Sequence, residues 1–417
     1  MKIKIKAQKR RSTKEVLLFV ALFCVFSTAL LEHVSIAIPE FSPLKFPILY
    51  VGGCCILLQI GTLLHRFLKK KYFYILLAVL CFCGLILVSA LANRSPRFGV
   101  NPMRTSLRIV LYLLELFSVT VWVAETGKAR NAINFLFWYI LILVIATDLL
   151  LFTEAIVFGK GNKMNYLIGT KFSVSYLHLY LLSFWFMRGF SQEQKRWKMN
   201  LLVLLTIVFN VIVSVRVDCM TGVIGSVLLM ILLLFVNRKK EKGVRWLCSP
   251  TMMLALMSAS IVFPFVVERV LSIPFITYLV EDIFGRDLTL TGRLSIFKLF
   301  GKRVSGHFLW GFGYGNGNPA AESLFRCANA QNALLQWILQ SGIPVTVMLA
   351  VVILMIFKKV ARSERKKELL PVVALLYVIV ALGTVETTFN LCFFLWQAIL
   401  LMVVYDKRTP VVEPETP

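Results

Sequence analysis

Residues 370–405 read LPVVALLYVIVALGTVETTFNLCFFLWQAILLMVVY, and Glu386 is the only charged residue among them. The apolar runs 370–384 and 388–405 lie on either side of this acid. A helix needs roughly 17–25 predominantly apolar residues to cross a bilayer. The stretch therefore predicts two short membrane-spanning helices joined by a tight connection that holds Glu386, or else one interrupted helix.

The composition of the whole chain agrees with this local pattern. Of the 417 residues, 58% are hydrophobic and only 16% are charged, and the mean hydropathy is +0.78. Soluble domains are about 45–50% apolar and about 25% charged. The composition excludes soluble enzymes, disulfide scaffolds and disordered proteins, and it predicts an all-α, polytopic integral membrane protein.

Twelve apolar stretches occur along the chain, which we interpret as one membrane domain over residues 1–417. Stretches seven and eight are separated only by Arg216-Val217-Asp218, so this pair also could be one interrupted helix. The approximate bounds are 16–36, 44–64, 73–92, 107–124, 133–157, 172–187, 200–215, 219–236, 250–267, 333–357, 370–384 and 388–405.

The basic residues predict the orientation of these spans. If the basic N-terminus (1–15) is cytoplasmic, 30 of the 46 lysine and arginine residues fall on the cytoplasmic side, as the positive-inside rule requires. The tail 406–417 is then cytoplasmic too. The net charge of +25 is thus explained by topology, and we expect no nucleic-acid partner.

One predicted external segment, 268–332, is far longer than the other loops. Loops of this length are usually functional or disordered, and its aromatic residues, such as Trp310 and Phe312, argue against disorder. Within it, LSIFKLFGKRV (294–304) predicts a short amphipathic helix that could lie on the membrane surface. The turn WGFGYGNGNP (310–319) lacks the Gly-Lys-Ser/Thr of a phosphate-binding loop.

Several arginines lie on the predicted external side, where the positive-inside rule disfavours them. An arginine near the end of a span can extend to the lipid headgroups. This accounts for the presence of any one of these arginines taken alone. As a set they favour an anion site, because guanidinium groups bind phosphate oxygens in a bidentate manner. An external anion beside a membrane suggests a lipid diphosphate, and the set includes Arg94, Arg97, Arg216 and Arg293.

Ionisable residues within or close to the spans form a second group of candidates. A charge at the membrane centre costs about 2.5–3.5 kcal/mol on insertion scales. Each such residue is therefore a functional hypothesis, with pairing to an arginine as the alternative. The group comprises Asp148, Glu154, His178, Asp218 and Glu386.

Three motifs in the long loop resemble the O-antigen ligase and polysaccharide polymerase family. They are TGRLSIFKLF (291–300), HFLWGFGYGNG (307–317) and QNALLQWILQSGIP (331–344). Ser214-Val215-Arg216 followed by Thr221-Gly222 is similar to the family's S-R pair before a small-residue helix. The order of these motifs and the twelve-span layout agree with the family, whose fold is described as GT-C-like.

The resemblance implies glycosyl transfer on the external side, with a catalytic loop at 268–332. The donor would be an oligosaccharide on undecaprenyl diphosphate, and no metal or other cofactor is needed. Arg216 and Arg293 match the family's arginines and would hold the diphosphate, with Gln331 and Asn332 contacting substrate. The family's His-Asn reads Gln331-Asn332 here, and glutamine cannot act as a base, so the polymerase reading is favoured over the ligase.

The protein then either uses another residue as the proton acceptor or needs only a hydrogen bond at position 331. Asp218 is expected to pair with Arg216, and Glu322 lies in what reads as a solvated turn. His307 remains a weaker alternative. Glu386 lies between two apolar spans, where desolvation raises a carboxyl pKa, and it is the predicted base.

Two further functions stay open, a ligase that transfers lipid-linked glycan to an acceptor and a lipid-oligosaccharide flippase. A transporter should show internal repeats or broken spans at matching positions, and the sequence shows neither. The favoured interpretation of the sequence is a multi-pass polymerase of the cell membrane with both termini in the cytoplasm. Its predicted partners are membrane lipid, a chain-length regulator and a flippase.

Overall fold

A computed structural model describes residues 13–37, 43–94, 98–153, 166–190, 196–238, 241–278, 281–282 and 293–407. These parts of the chain form α-helices and no strand, apart from an isolated bridge between Tyr166 and Gly169. The helices are α1 (Thr13–Ala37), α2 (Lys45–Leu57), α3 (Ile60–Phe67), α4 (Lys70–Ala92), α5 (Pro102–Glu125), α6 (Ala129–Phe152), α7 (Lys171–Phe190), α8 (Arg196–Arg216), α9 (Met220–Arg238), α10 (Glu241–Leu247), α11 (Pro250–Leu271), α12 (Pro274–Tyr278), α13 (Arg293–Val304), α14 (Gly317–Phe325), α15 (Ala333–Ser341), α16 (Ile343–Arg362), α17 (Lys366–Leu382) and α18 (Leu391–Val404).

Six helical segments in the described residues are long and apolar enough to cross a membrane. They are Thr13–Glu32, Lys70–Ala92, Pro102–Glu125, Ala129–Phe152, Pro250–Leu271 and Ile343–Arg362. Helices α8, α9 and α18 are apolar but shorter. Large apolar side chains remain exposed on many helices, for example Phe265 at 73% and Leu58 at 69%. Exposed apolar surface on this scale belongs to a membrane-embedded protein.

Within the described residues, each of the twelve apolar stretches overlaps a helix, but two of the stretches are not single straight helices. The stretch 44–64 breaks after Leu57, and α2 and α3 meet at an angle of 76°. The sequence analysis predicted 44–64 as one unbroken span, so this break is a correction. The last turn of α2 tightens as the N–H groups of Leu58 and Gln59 donate to Cys54 O and Ile56 O, which ends the helix there.

The second interruption lies at Gly342, between α15 and α16. Its φ of +87° is a conformation that glycine adopts without strain, and a Cβ there would collide with the backbone of Leu309. The N–H of Ile343 donates to Phe308 O at 2.8 Å. The predicted single span 333–357 is therefore divided where the external loop docks on it.

The segment from α13 to α15 has a hydrophobic core of its own. Phe297, Phe300 and Val304 of α13 are buried against Leu271 at the end of α11 and Phe325 of α14. The predicted amphipathic helix 294–304 is thus confirmed as a helix. Its apolar face, however, packs on protein and is not left for a membrane surface, because α11, α14 and α15 supply apolar partners.

The glycine-rich turn fits closely against the rest of the protein. A Cβ on Gly311, whose φ is +59°, would lie 2.6 Å from Ser341 N, and one on Gly313 would lie 2.7 Å from the Pro102 side chain. Ser89 Oγ and Asn93 Nδ2 donate to Trp310 O at 2.7 and 3.2 Å. These contacts fix the loop to the ends of α4, α5 and α15.

Candidate functional site

Arg293, the first residue of α13, joins two residues that are distant in sequence. Its Nε donates to Gln331 Oε1 at 2.9 Å, and its Nη2 forms an ion pair with Glu386. The side chains of Arg293 and Glu386 are 19% and 7% exposed. Three of the residues predicted from the sequence as site residues therefore form one largely buried cluster, which we call the Arg293 cluster (Arg293, Gln331 and Glu386).

The backbone around Gln331 is shaped to present its side chain to Arg293. Gln331 has a φ of +54°, a left-handed conformation that is uncommon outside glycine and asparagine. Its N–H donates to Asn329 Oδ1 at 2.8 Å, which holds the turn. Strained positions of this kind are often found at functional sites.

Asn332, also predicted to bind substrate, has a different role in the structure. Its Oδ1 accepts from the N–H groups of Leu334 and Leu335 at 3.0 Å each, so it caps α15. Its Nδ2 donates to Ser260 O and Thr384 O at 3.0 and 3.1 Å. The buried amide thus uses all its hydrogen-bonding capacity on the protein and positions its neighbour Gln331.

Glu386 is held by a folded connection between α17 and α18. Gly383 O accepts from the N–H of Ala333 at 2.8 Å, and Phe389 O accepts from Trp337 Nε1 at 3.2 Å. Thr388 Oγ1 donates to Ile379 O at 2.8 Å. The connection therefore packs against α15, which brings Glu386 to Arg293.

Burial dominates the electrostatics of Glu386. Desolvation raises the pKa of this carboxyl group to about 7, against the opposing effect of the Arg293 and Lys171 charges. A proton acceptor works best when its pKa lies near the working pH. The surroundings of Glu386 thus give it the acid–base properties that a general base needs.

Lys171, at the start of α7, connects the Arg293 cluster to the tip between α8 and α9. Its charge acts on Glu386, and its Nζ lies 3.2 Å from Asp218 Oδ2. Arg216, an exposed residue, ends α8 two positions before Asp218. Burial and Asp218 raise the pKa of Tyr166, and Arg216 opposes this shift. Arg216 thus lies in a neighbouring charged group with Tyr166, Lys171 and Asp218. Sequence reasoning missed the linking role of Lys171, because only the fold puts the start of α7 beside Glu386.

The Ser214 and Gly222 positions of the S-V-R and T-G motifs are explained by helix packing. Ser214 Oγ donates to Ser175 Oγ at 3.0 Å. A Cβ on Gly222 would lie 2.5 Å from the Ser175 side chain. Small residues at these positions let α7, α8 and α9 approach each other closely, which fixes the segment that carries Arg216.

The other predicted site residues lie outside the Arg293 cluster. Arg94 is exposed just beyond α4, next to the residues that anchor the glycine-rich turn. Arg97 and Glu154 lie outside the described residues. His307 stacks on Phe312 with ring centroids 4.0 Å apart, and Glu322 is exposed on α14, which is a helix and not the predicted turn.

Asp148 and His178 form a pair between α6 and α7. His178 Nε2 lies 3.1 Å from Asp148 Oδ2, and its Nδ1 lies 2.9 Å from Val174 O. Since a carbonyl only accepts, Nδ1 is the donor in the contact with Val174 O. The two residues thus pair with each other, whereas the sequence suggested an arginine as the partner.

Sequence reasoning also missed Glu115, an acid in the middle of α5. It is 3% exposed, and neither carboxylate oxygen has a hydrogen-bond partner among the described residues. A Cβ on Gly52 or Gly53 of α2 would lie 2.9 or 2.8 Å from these oxygens. The sequence signal that could have identified Glu115 is the presence of an acidic residue inside the apolar stretch 107–124.

Comparisons with known proteins leave the family open. No protein-family model, no curated protein and no solved structure matches this chain. Within the described residues, no group of three His, Cys, Asp or Glu side chains could hold a metal ion.

Proposed function

We propose that this protein is a glycosyltransferase that polymerises oligosaccharide repeat units carried on undecaprenyl diphosphate into a surface polysaccharide of the capsular or O-antigen type. The observation that carries the proposal is the Arg293 cluster, in which a guanidinium group lies between a buried carboxylate and a glutamine amide. Such a site contains a cation for a leaving diphosphate and a proton acceptor for an attacking hydroxyl.

The proposed topology has twelve spans, with both termini in the cytoplasm and 268–332 on the outer side of the cell membrane. The distribution of basic residues supports it, together with the helices found at all twelve apolar stretches. In this arrangement the Arg293 cluster lies at the outer face, where lipid-linked repeat units are exposed.

In the proposed reaction, a hydroxyl oxygen of the acceptor sugar forms a bond to the anomeric carbon of the donor sugar. The bond between that carbon and the diphosphate oxygen breaks, and its electron pair leaves with the diphosphate. The proton of the hydroxyl passes to Glu386. Atoms and charge balance without a metal or an oxidant.

Arg293 has N–H donors for this step beyond those that bind Gln331 and Glu386. A guanidinium carries five N–H groups in a rigid fork, of which one binds Gln331 and another binds Glu386. The remaining donors are available to phosphate oxygens. When the diphosphate attracts Arg293, the influence of its charge on Glu386 weakens. The carboxylate then becomes a stronger base.

Deletion of the gene, followed by sizing of the surface glycan, tests the proposal. Loss of a polymerase leaves single repeat units on the cell surface, whereas loss of a ligase leaves unattached polymer. Retention of full-length, attached polymer in the deletion strain would refute both. The chain-length regulator and flippase stay proposed partners, and co-purification with the tagged protein is the measurement that tests them.

A second candidate function, transport of a lipid-linked oligosaccharide, is favoured by one observation. Broken helices beside buried charges form the binding sites of many transporters. The Glu115 carboxyl group has no hydrogen-bond partner among the described residues, and it lies against Gly52 and Gly53 of α2, the first helix of the broken α2–α3 pair. Under this alternative, a deletion strain exports no repeat units at all, and Glu115→Gln reproduces that loss.

A further inference from the structure

A strongly basic cavity shares no lining residue with the Arg293 cluster. It occupies about 660 Å³ where α4 begins and α16 ends. Five of its lining residues are cationic, and none is acidic. The cations are Lys70 and Lys71 of α4 and Lys358, Lys359 and Arg362 of α16.

The nearest buried acid, Glu125, is already occupied by other groups. Its carboxylate lies 2.9 Å from Lys69 Nζ, 2.6 Å from Lys71 Nζ and 2.8 Å from Lys407 Nζ, and Tyr72 Oη donates to it at 3.0 Å. One negative charge therefore faces three ammonium groups. It has no capacity left to neutralise the remaining cations of the cavity.

Three of the lining cations have no acidic partner in the described parts of the chain. Lys70, Lys358 and Arg362 are exposed and make no ion pair there. Lys358 and Arg362 are one helical turn apart, a spacing at which like charges repel each other. The partial positive charge of the α4 N-terminus is offset by the partial negative charge of the α16 C-terminus, so the excess comes from the side chains. The cavity thus has an excess of positive charge that an anion would neutralise.

Apolar surface continues from the cavity along both helices. Tyr74 and Leu77 of α4 are 53% and 48% exposed, and Val347 and Val351 of α16 are 56% and 38% exposed. Helices α4 and α16 pack directly against each other, and both are long and apolar enough to cross a membrane. The charged cavity therefore lies at the end of a two-helix surface that suits hydrocarbon chains.

We infer that this cavity binds the phosphate head group of an anionic phospholipid, with the acyl chains lying along α4 and α16. The charge excess selects a net negative head group over a zwitterionic one, and Arg362 supplies a planar fork for phosphate oxygens. Basic pockets between spanning helices on the cytoplasmic side bind anionic head groups in other membrane proteins. The inference does not depend on the glycosyl-transfer proposal.

Native mass spectrometry of the full-length, delipidated protein tests this site. The protein in detergent is titrated with dioleoylphosphatidylglycerol, with dioleoylphosphatidylcholine in a parallel series and inorganic phosphate as a competitor. We expect one tight phosphatidylglycerol adduct, no comparable phosphatidylcholine adduct, and no displacement by millimolar phosphate.

Matched variants assign the binding to the cavity. Lys70→Gln with Arg362→Gln removes two lining charges and should weaken phosphatidylglycerol binding by roughly 10- to 30-fold, as expected for two basic residues near an anionic head group. Lys298→Gln with Lys302→Gln removes two exposed charges from α13, outside the cavity lining. This variant should leave binding within about twofold of wild type, because charges beyond a Debye length are screened by salt.

Lys70→Arg keeps both the charge at this position and the Arg362 fork, and it should bind nearly as the wild type does. This variant keeps the test informative if the glutamine variant folds poorly. Equal binding by the glutamine variant and its control would overturn the inference. Equal affinity for phosphatidylcholine, or displacement by free phosphate, would also overturn it, the latter in favour of a simple anion site.

Discussion

Arg293 and Glu386 form an ion pair although 93 positions separate them in the sequence. The pair is largely buried, and a buried ion pair is stable only when further hydrogen bonds satisfy its members. Gln331 provides such a bond to Arg293. In the proposed reaction, the guanidinium group of this pair binds a phosphate of the lipid diphosphate.

Replacing Arg293 by alanine should lower the polymerisation rate by about 10²–10³-fold, as for removal of a preorganised group that stabilises charge in the transition state. Lysine should rescue only in part, because an ammonium group cannot make the planar two-point contact. The rate is measured as release of lipid diphosphate from proteoliposomes. Arg303→Ala is the control, since Arg303 is exposed on α13, and it should keep near-normal activity. Full activity of Arg293→Ala would exclude the proposed diphosphate contact.

Glu386→Gln should reduce the rate by about 10²–10⁴-fold, the usual contribution of a general base. Glutamine retains the shape of the side chain but cannot accept the proton. Lipid-linked repeat units should accumulate while the protein level in the membrane stays normal. A normal polymer profile from this variant would eliminate Glu386 as the base and direct attention to His307.

The pH dependence of the wild-type rate should follow the ionised fraction of Glu386. Because burial raises its pKa to about 7, the base is protonated and inactive in acid, and the rate should rise as pH increases through about 7. Lys171→Met removes a charge that lowers this pKa, so its rate profile should move to higher pH. Lys298→Met, which removes an exposed lysine paired with Glu268, should leave the profile in place. Identical profiles for all three proteins would contradict the role given to Glu386.

Asn332→Asp should destabilise the protein by about 1–3 kcal/mol or more, the cost of unsatisfied buried polar groups. The new carboxylate can still cap α15, but it replaces the Nδ2 donor to Ser260 O and Thr384 O with an acceptor that repels both carbonyls. Thermal unfolding in detergent measures the change. Asn101→Asp at the exposed cap of α5 should be neutral, because aspartate and asparagine cap helices equally well. Equal unfolding temperatures for both variants would rule out this account of Asn332.

Gly222→Val should disrupt the packing of α7, α8 and α9, since even a Cβ would lie 2.5 Å from the Ser175 side chain. Overpacking of this kind costs typically about 1–3 kcal/mol. The expected readout is a lower unfolding temperature with loss of activity. Gly84→Val is a suitable comparison, because a Cβ on Gly84 meets nothing within 4 Å, and this variant should unfold close to the wild type.

Labelling of cysteines in intact cells tests the proposed orientation. Cys327, a partly exposed residue of the long loop, should react with a membrane-impermeant thiol reagent. Cys248 cannot serve as the cytoplasmic reporter, because it is fully buried, so Lys367→Cys at the exposed start of α17 replaces it. That cysteine should react only after permeabilisation, and the reverse result would invert the topology.

The sequence by itself determined the helical, membrane-embedded class of this protein, because apolar runs of span length between basic loops have few other solutions. It also singled out Glu386, as a charge between two apolar runs, whereas Arg293 and Gln331 were selected through the resemblance of their motifs to a known family. The helix at 294–304 followed from its amphipathic pattern.

Only the tertiary structure decided which of these residues meet. The contact between Arg293 and Glu386 depends on how the 383–390 connection packs against α15, and such long-range packing leaves no local periodicity in the sequence. Long-range packing also produces three other features of the protein. They are the buried apolar face of α13, the scaffold role of Asn332 and the basic cavity between α4 and α16. Each arises where side chains from distant segments share one space, and a linear pattern of residues carries no information about which segments will do so.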